Sequence, residues 1–245
     1  MTQPGPWVEQ WLSAPRFGAY LRLANSDRHL AFALYEWNAQ LSAAYMRDLA
    51  HLEVALRNAY DRAITEHRPV DAPHWIFDAD ALFPPHLTTA DDGTVIDSNA
   101  KTRDHLLAAI TSAADAERRR INKAAREAHQ PRPVHPIQPS PGHVVAELTF
   151  GFWRYLTKSA HEKRLWVPYL HHAFPPGTHR RAVDTLVTKL NDVRNRVAHH
   201  EPLDPDLATR RHNNLIELAS WLSPELRDYI QATTSCPGHL TNRPN

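Results

Sequence analysis

Between residues 27 and 67, apolar or aromatic side chains recur at Leu30, Leu34, Trp37, Leu41, Tyr45, Leu49, Leu52, Leu56, Tyr60 and Ile64, always in steps of three or four. An α-helix returns side chains to one face at that interval, so the stretch is predicted as a long amphipathic helix with room for one interruption. Asn25, Ser26 and Asp27 offer an N-cap, and Pro69 closes the run. One apolar stripe this long must be buried against other elements. The rest of the chain offers helices for that purpose and no convincing period-two alternation. The fold class expected is therefore all-α, a helical bundle with long irregular loops.

Further helical patterns cover residues 99–128, capped by Ser98, then about 178–200 and 206–222. A short helix is opened by Ser223-Pro224-Glu225, a serine cap with proline at the first helical position. Residues 70–98 are irregular and rich in proline and aspartate, and residues 129–143 (HQPRPVHPIQPSPGH) hold five prolines that no helix or central strand tolerates. The organisation expected is one helical domain over residues 1–232, with irregular insertions at about 68–98 and 129–143, followed by a polar tail at 233–245.

Net charge is only +1, so any nucleic-acid surface must be a local patch. The single cysteine, Cys236, excludes an intrachain disulfide framework and a cysteine-based metal knuckle, and fits a reducing cytoplasm. The N-terminal stretch MTQPGPWVEQW lacks the charged start and apolar run of a secretory signal. No stretch approaches the roughly 20 apolar residues that span a bilayer.

The stretch RNRVAHHEP (194–202) admits three readings: a basic helix end, half of a metal site, or an acid–base pair that cuts RNA. On a helix, Val183, Leu186, Leu190, Val193 and Val197 form one inward stripe. Asn195 and His199 lie nearly opposite it, sharing their side with Asp184, Thr188 and Asn191. Arg194 and His200 sit on the flanks, and Pro202 ends the helix. Adjacent histidines on a helix point about 100° apart and meet no third ligand at a useful spacing, so no metal or other cofactor is expected. The unpaired carbonyls of a last turn favour basic side chains, which explains the composition equally well.

Three segments in order, VVAELTFGFWRYL (144–156), LWVPYLHHAFP (165–175) and VRNRVAHHEPL (193–203), with LEVALRNAYDRAI (52–64) upstream, resemble the Abi-like (abortive-infection) proteins of the HEPN superfamily. The resemblance covers roughly residues 28–222. It implies a HEPN-like helical bundle and a metal-independent ribonuclease whose site forms where two copies of the motif helix meet in a homodimer. Arg194 corresponds to the motif arginine, Asn195 to the polar residue after it, and His199 to the motif histidine. His200 also satisfies the spacing. Glu53, Arg57 and Asn58 match the upstream helix and, with Arg196, are supporting candidates; a structural ion pair and cap would explain the first three as well.

The residue types suit the chemistry. An imidazole titrates near neutrality and can take the proton of a ribose 2′-OH, which then attacks the adjacent phosphate. Arginine grips the phosphate through its planar fork. Two copies about a two-fold axis supply a base and an acid. Arg118, Arg119, Arg120, Lys123 and Arg126 either track an RNA backbone or form a solvated helix face. Phe150, Phe152, Trp153 and Tyr155 either stack bases or build core. The partners implied are an RNA substrate, a second copy, and an antitoxin or small RNA, with no membrane. The alternative is a non-catalytic module that binds RNA, a nucleotide or a partner protein.

Overall fold

The structure, a computed structural model, describes residues 4–132 and 135–245. The first three residues of the N-terminal stretch, and residues 133–134 of the proline-rich loop, lie outside the described residues. The fold is all-α, as expected: long helices carry it, and the described strands amount to one small hairpin. The chain divides into two compact units, Met1–Ala55 with Ala182–Asn245, and Leu56–Arg181.

In the first unit, α1 (Trp7–Leu12) and α2 (Ala14–Leu23) precede α3 (Arg28–Glu66), whose residues from Leu56 onward belong to the second unit. The cap is Asp27, whose Oδ1 accepts from the backbone N–H of His29 at 2.8 Å and of Leu30 at 3.1 Å. The apolar stripe read from the sequence is the buried face of α3: from Leu34 to Ile64 every member is buried, and Leu30 packs partly covered beside it. Arg28 ties the chain start to this helix, pairing with Glu9 and donating to the carbonyls of Pro4 and Gly5 at 3.0 Å each.

The second unit holds a 3-10 turn at Trp75–Phe77, then α4 (Ala79–Leu82), β1 (Leu87–Thr89), β2 (Val95–Asp97), α5 (Ala100–Glu127), α6 (Pro141–Glu147) and α7 (Phe150–Leu156). The 70–98 segment is thus less irregular than expected. Its strands pair antiparallel with Leu87 opposite Asp97, and each has three residues, too short for alternation to register. The proline-rich loop also ends earlier than residue 143, because Ser140 caps α6 with Pro141 at its first position. Phe150, Phe152 and Trp153 are core, with Trp153 meeting the rings of Tyr60 and Trp75 edge-on at 6.4 and 6.2 Å. The hydroxyl of Tyr155 donates to the Ser98 carbonyl at 3.0 Å.

Back in the first unit, α8 (Arg180–Ala198) is followed by α9 (Pro205–Leu222), α10 (Pro224–Thr233) and α11 (Cys236–Thr241). Asp204 and Ser223 cap α9 and α10, accepting from Leu207 N at 2.7 Å and Leu226 N at 3.1 Å. Residues 233–245, expected as a polar tail, instead carry α11. Cys236 is fully buried, Trp37 Nε1 donates to the His239 carbonyl at 2.7 Å, and Arg47 donates to the Thr233 carbonyl. Side chains of α3 grip tail backbone, a long-range contact that leaves no periodic mark in the sequence. No helix among the described residues is long and apolar enough to cross a membrane.

Candidate functional site

The last turn of α8 sets the geometry. Its stripe of Val183, Leu186, Leu190, Val193 and Val197 is buried, which holds the helix in place and leaves its end at the surface. The helix stops at Ala198, so His199 and His200 lie in the turn beyond it and not on the helix face predicted for them. A continued helix would drive the Pro202 ring into the carbonyl of Ala198, and proline has no N–H to give. The chain instead closes a Schellman turn. His200 N donates to Val197 O at 3.1 Å, Glu201 N to Arg196 O at 2.9 Å, and His199 N to Asn195 O at 2.9 Å. His200 stands at the left-handed position with φ +55°, where glycine is the usual occupant.

Two contacts from other helices fix this turn. Asn38, buried on α3, accepts from Leu203 N at 2.8 Å and donates to Glu201 O at 3.3 Å. Arg16 of α2 donates to the His199 carbonyl at 3.4 Å. Neither residue was singled out in the sequence. Asn38 sits next to Trp37, and a buried amide on an otherwise apolar helix face is the one signal that could have found it. Arg16 carries no such signal.

The two arginines of the stretch differ in kind. Arg196 is exposed and pairs with Glu201 at 3.8 Å across the turn. Arg194 is half-buried, its Nε is shielded from solvent without an acceptor, and among the described residues its side chain makes no ion pair or hydrogen bond. A guanidinium in that condition has spare donors for an anion. Asn195, His199 and His200 are exposed beside it in sequence.

Two clefts open at this end of α8. One, of about 390 Å³, is lined by Asn195, Arg196, Arg211 and the three carboxyl groups of Asp192, Glu201 and Asp204. Acids outnumber bases there, which disfavours a phosphate. The other, of about 710 Å³, is lined by Trp11, Arg16, Tyr35, Asn38 and His200 and by no acidic side chain. Trp11 is 57 % exposed and meets Tyr35 edge-on at 5.5 Å, which leaves an aromatic surface open on a wall that also carries a guanidinium.

The remaining candidates fall elsewhere. Glu53 and Arg57 are half-buried on α3, and Asn58 is exposed. Among the described residues the Arg57 Nε is buried without an acceptor. Arg118, Arg119, Arg120, Lys123 and Arg126 are exposed on α5, in the second unit. Arg120 is held by both carboxylate oxygens of Glu117, and Lys123 approaches Glu127 at 3.9 Å, so two of the five charges are partly neutralised.

No curated protein and no solved structure matches the chain. A family model does, the one described as Abi-like protein, over residues 13–203. That span reaches from α2 through α8 to Leu203, including the Schellman turn and the residue that Asn38 binds. With most of its length matched, the chain belongs to the Abi-like protein family.

Proposed function

We propose that this chain is an endoribonuclease of the HEPN type, serving abortive infection, whose cutting site needs no metal. Family membership supports the abortive-infection setting. The observation that carries the chemistry is Arg194, a cation with no counter-charge among the described residues, set on the same helix end as a turn that exposes two imidazoles. Arg194 holds a phosphate oxygen of the scissile linkage. His199 takes the proton of the 2′-OH, the 2′ oxygen bonds to phosphorus, and the bond from phosphorus to the 5′ oxygen breaks. A second imidazole, the partner's His199, protonates the leaving oxygen. Asn195, four residues before His199, orients its imidazole. His200 closes the helix and faces the acid-free cleft, where Arg16 and the exposed ring of Trp11 receive a flanking nucleotide. A nuclease of this kind has to be held silent, which is the place for an antitoxin or small RNA.

The test is the chemistry of the ends. Purified protein, given RNA without added divalent cation, is expected to leave 2′,3′-cyclic phosphate and 5′-hydroxyl ends. It should spare a strand carrying a single 2′-deoxy substitution at the scissile nucleotide. Cleavage of that deoxy strand, or products with 3′-hydroxyl ends, would overturn the mechanism. RNA bound but left intact would instead mark a non-catalytic binding module.

A further inference from the structure

Away from the α8 turn, the first unit buries a cluster that no part of the RNA-cutting reading uses. Asp48 of α3, His212 of α9 and Cys236 of α11 are 1 %, 7 % and 0 % exposed, and each places a donor atom within 4.8 Å of the other two. Asp48 Oδ1 and His212 Nδ1 are buried with no hydrogen-bond partner among the described residues. Asp48 Oδ2 accepts from the hydroxyl of Thr234 and, at 3.5 Å, from the thiol of Cys236. No lysine or arginine among the described residues pairs with Asp48. A buried carboxyl group and a buried imidazole, each with an orphaned atom and aimed at a thiol, are costly to leave uncompensated.

We infer that Asp48, His212 and Cys236 form a binding site for a structural zinc ion. One sulfur, one nitrogen and one oxygen donor suit zinc better than a hard cation such as magnesium or calcium. On binding, the thiol releases its proton to solvent, and thiolate and carboxylate then balance the two positive charges of the ion. The buried cluster becomes neutral and its orphaned atoms gain a partner. Tetrahedral zinc brings its ligands to about 3.3–3.8 Å of one another, a short closure by side-chain rotation. His212 and Thr234 also line a surface cleft of about 490 Å³, which gives the ion a way in and water the fourth position. The ion joins three helices that are far apart in sequence, which is why ligand spacing does not reveal it, and it fastens α11 to α3 and α9.

The test uses the full chain stripped with a strong chelator and then titrated with zinc or cobalt. Wild type should retain one metal per chain after desalting, and its cobalt form should show a thiolate-to-cobalt charge-transfer band. With only one cysteine in the chain, that band reports Cys236 alone. Zinc at a hundredfold over its Kd should raise Tm by about 5–10 °C. Cys236→Ser should lose the band and the Tm rise, and Asp48→Asn should lose the retained equivalent. Because wild type is scored by itself, a misfolded variant leaves the outcome readable. No retained metal in wild type overturns the site. So does metal retained without the cobalt–thiolate band, which would place it on surface histidines.

Discussion

At φ +55°, His200 occupies backbone space that costs a side chain with a Cβ roughly 1 kcal/mol relative to glycine. His129 does the same at the end of α5, with φ +54° and the same pair of closing hydrogen bonds, so the chain stops helices with histidine where glycine is usual. His200 is therefore the helix stop, and under the proposed function the proton transfer is assigned to His199. His200→Gly is expected to raise stability by about 1 kcal/mol in denaturant melts while cleavage persists; loss of cleavage in that folded variant would move the base to His200. The spacing of RNRVAHHEP was legible in the sequence. The left-handed turn was not, because φ at His200 is set by Pro202 ahead and Asn38 beside it, the second of which is distant in sequence. A different histidine contributes to the acid response. His161 is buried against Phe83 and Tyr155, its Nε2 has no partner, and burial first, then the charge of His86, pushes its pKa from 6.5 to about 4. The unfolded chain thus takes up this proton before the folded one. Stability from this site is full above pH 6.5 and is lost as pH falls towards 4, by about 3 kcal/mol in all. His161→Phe should flatten that part of the stability–pH curve.

The elements were read well where an apolar stripe alone determines them. The stripes of α3 and α8 are buried as their periodicity required. The opposite face of α8 was harder. Asn191 is 5 % exposed and Asp184 and Thr188 are half-buried, so that polar face is largely covered within the chain. Under the proposed function a second copy meets α8 at its exposed end, Asn195, His199 and His200. Residue polarity predicts exposure poorly on a helix packed on several sides, and the polar segment of α11, held through the carbonyls of Thr233 and His239, illustrates the converse. On α5, Arg118, Arg119 and Arg126 remain without the carboxylates that hold Arg120 and Lys123. If these three track single-stranded RNA, the triple alanine variant should weaken binding and lower the salt slope of log K by about 2. Binding at an unchanged slope would make α5 a solvated face.

For the whole molecule, family membership and the all-α fold both follow from patterns that survive in one sequence: periodicity, capping residues and a few ordered segments. What no single sequence carries is the convergence of distant residues. Trp11, Arg16 and Asn38 reach the α8 turn from α1, α2 and α3, and the Asp48–His212–Cys236 cluster joins α3 to α9 and α11. Under the proposed function, the exposed imidazole of His199 acts with Arg194, unpaired among the described residues, to cut RNA. The most direct measurement is the single-turnover cleavage rate of one RNA by wild type and by His199→Ala, with Tm recorded for both. His199 is exposed, so Tm should stay within about 1 °C, since surface substitutions seldom cost more than a few tenths of a kcal/mol. The rate should fall by about 10²–10⁴, the contribution of a general base. Equal rates from both proteins would contradict the claim.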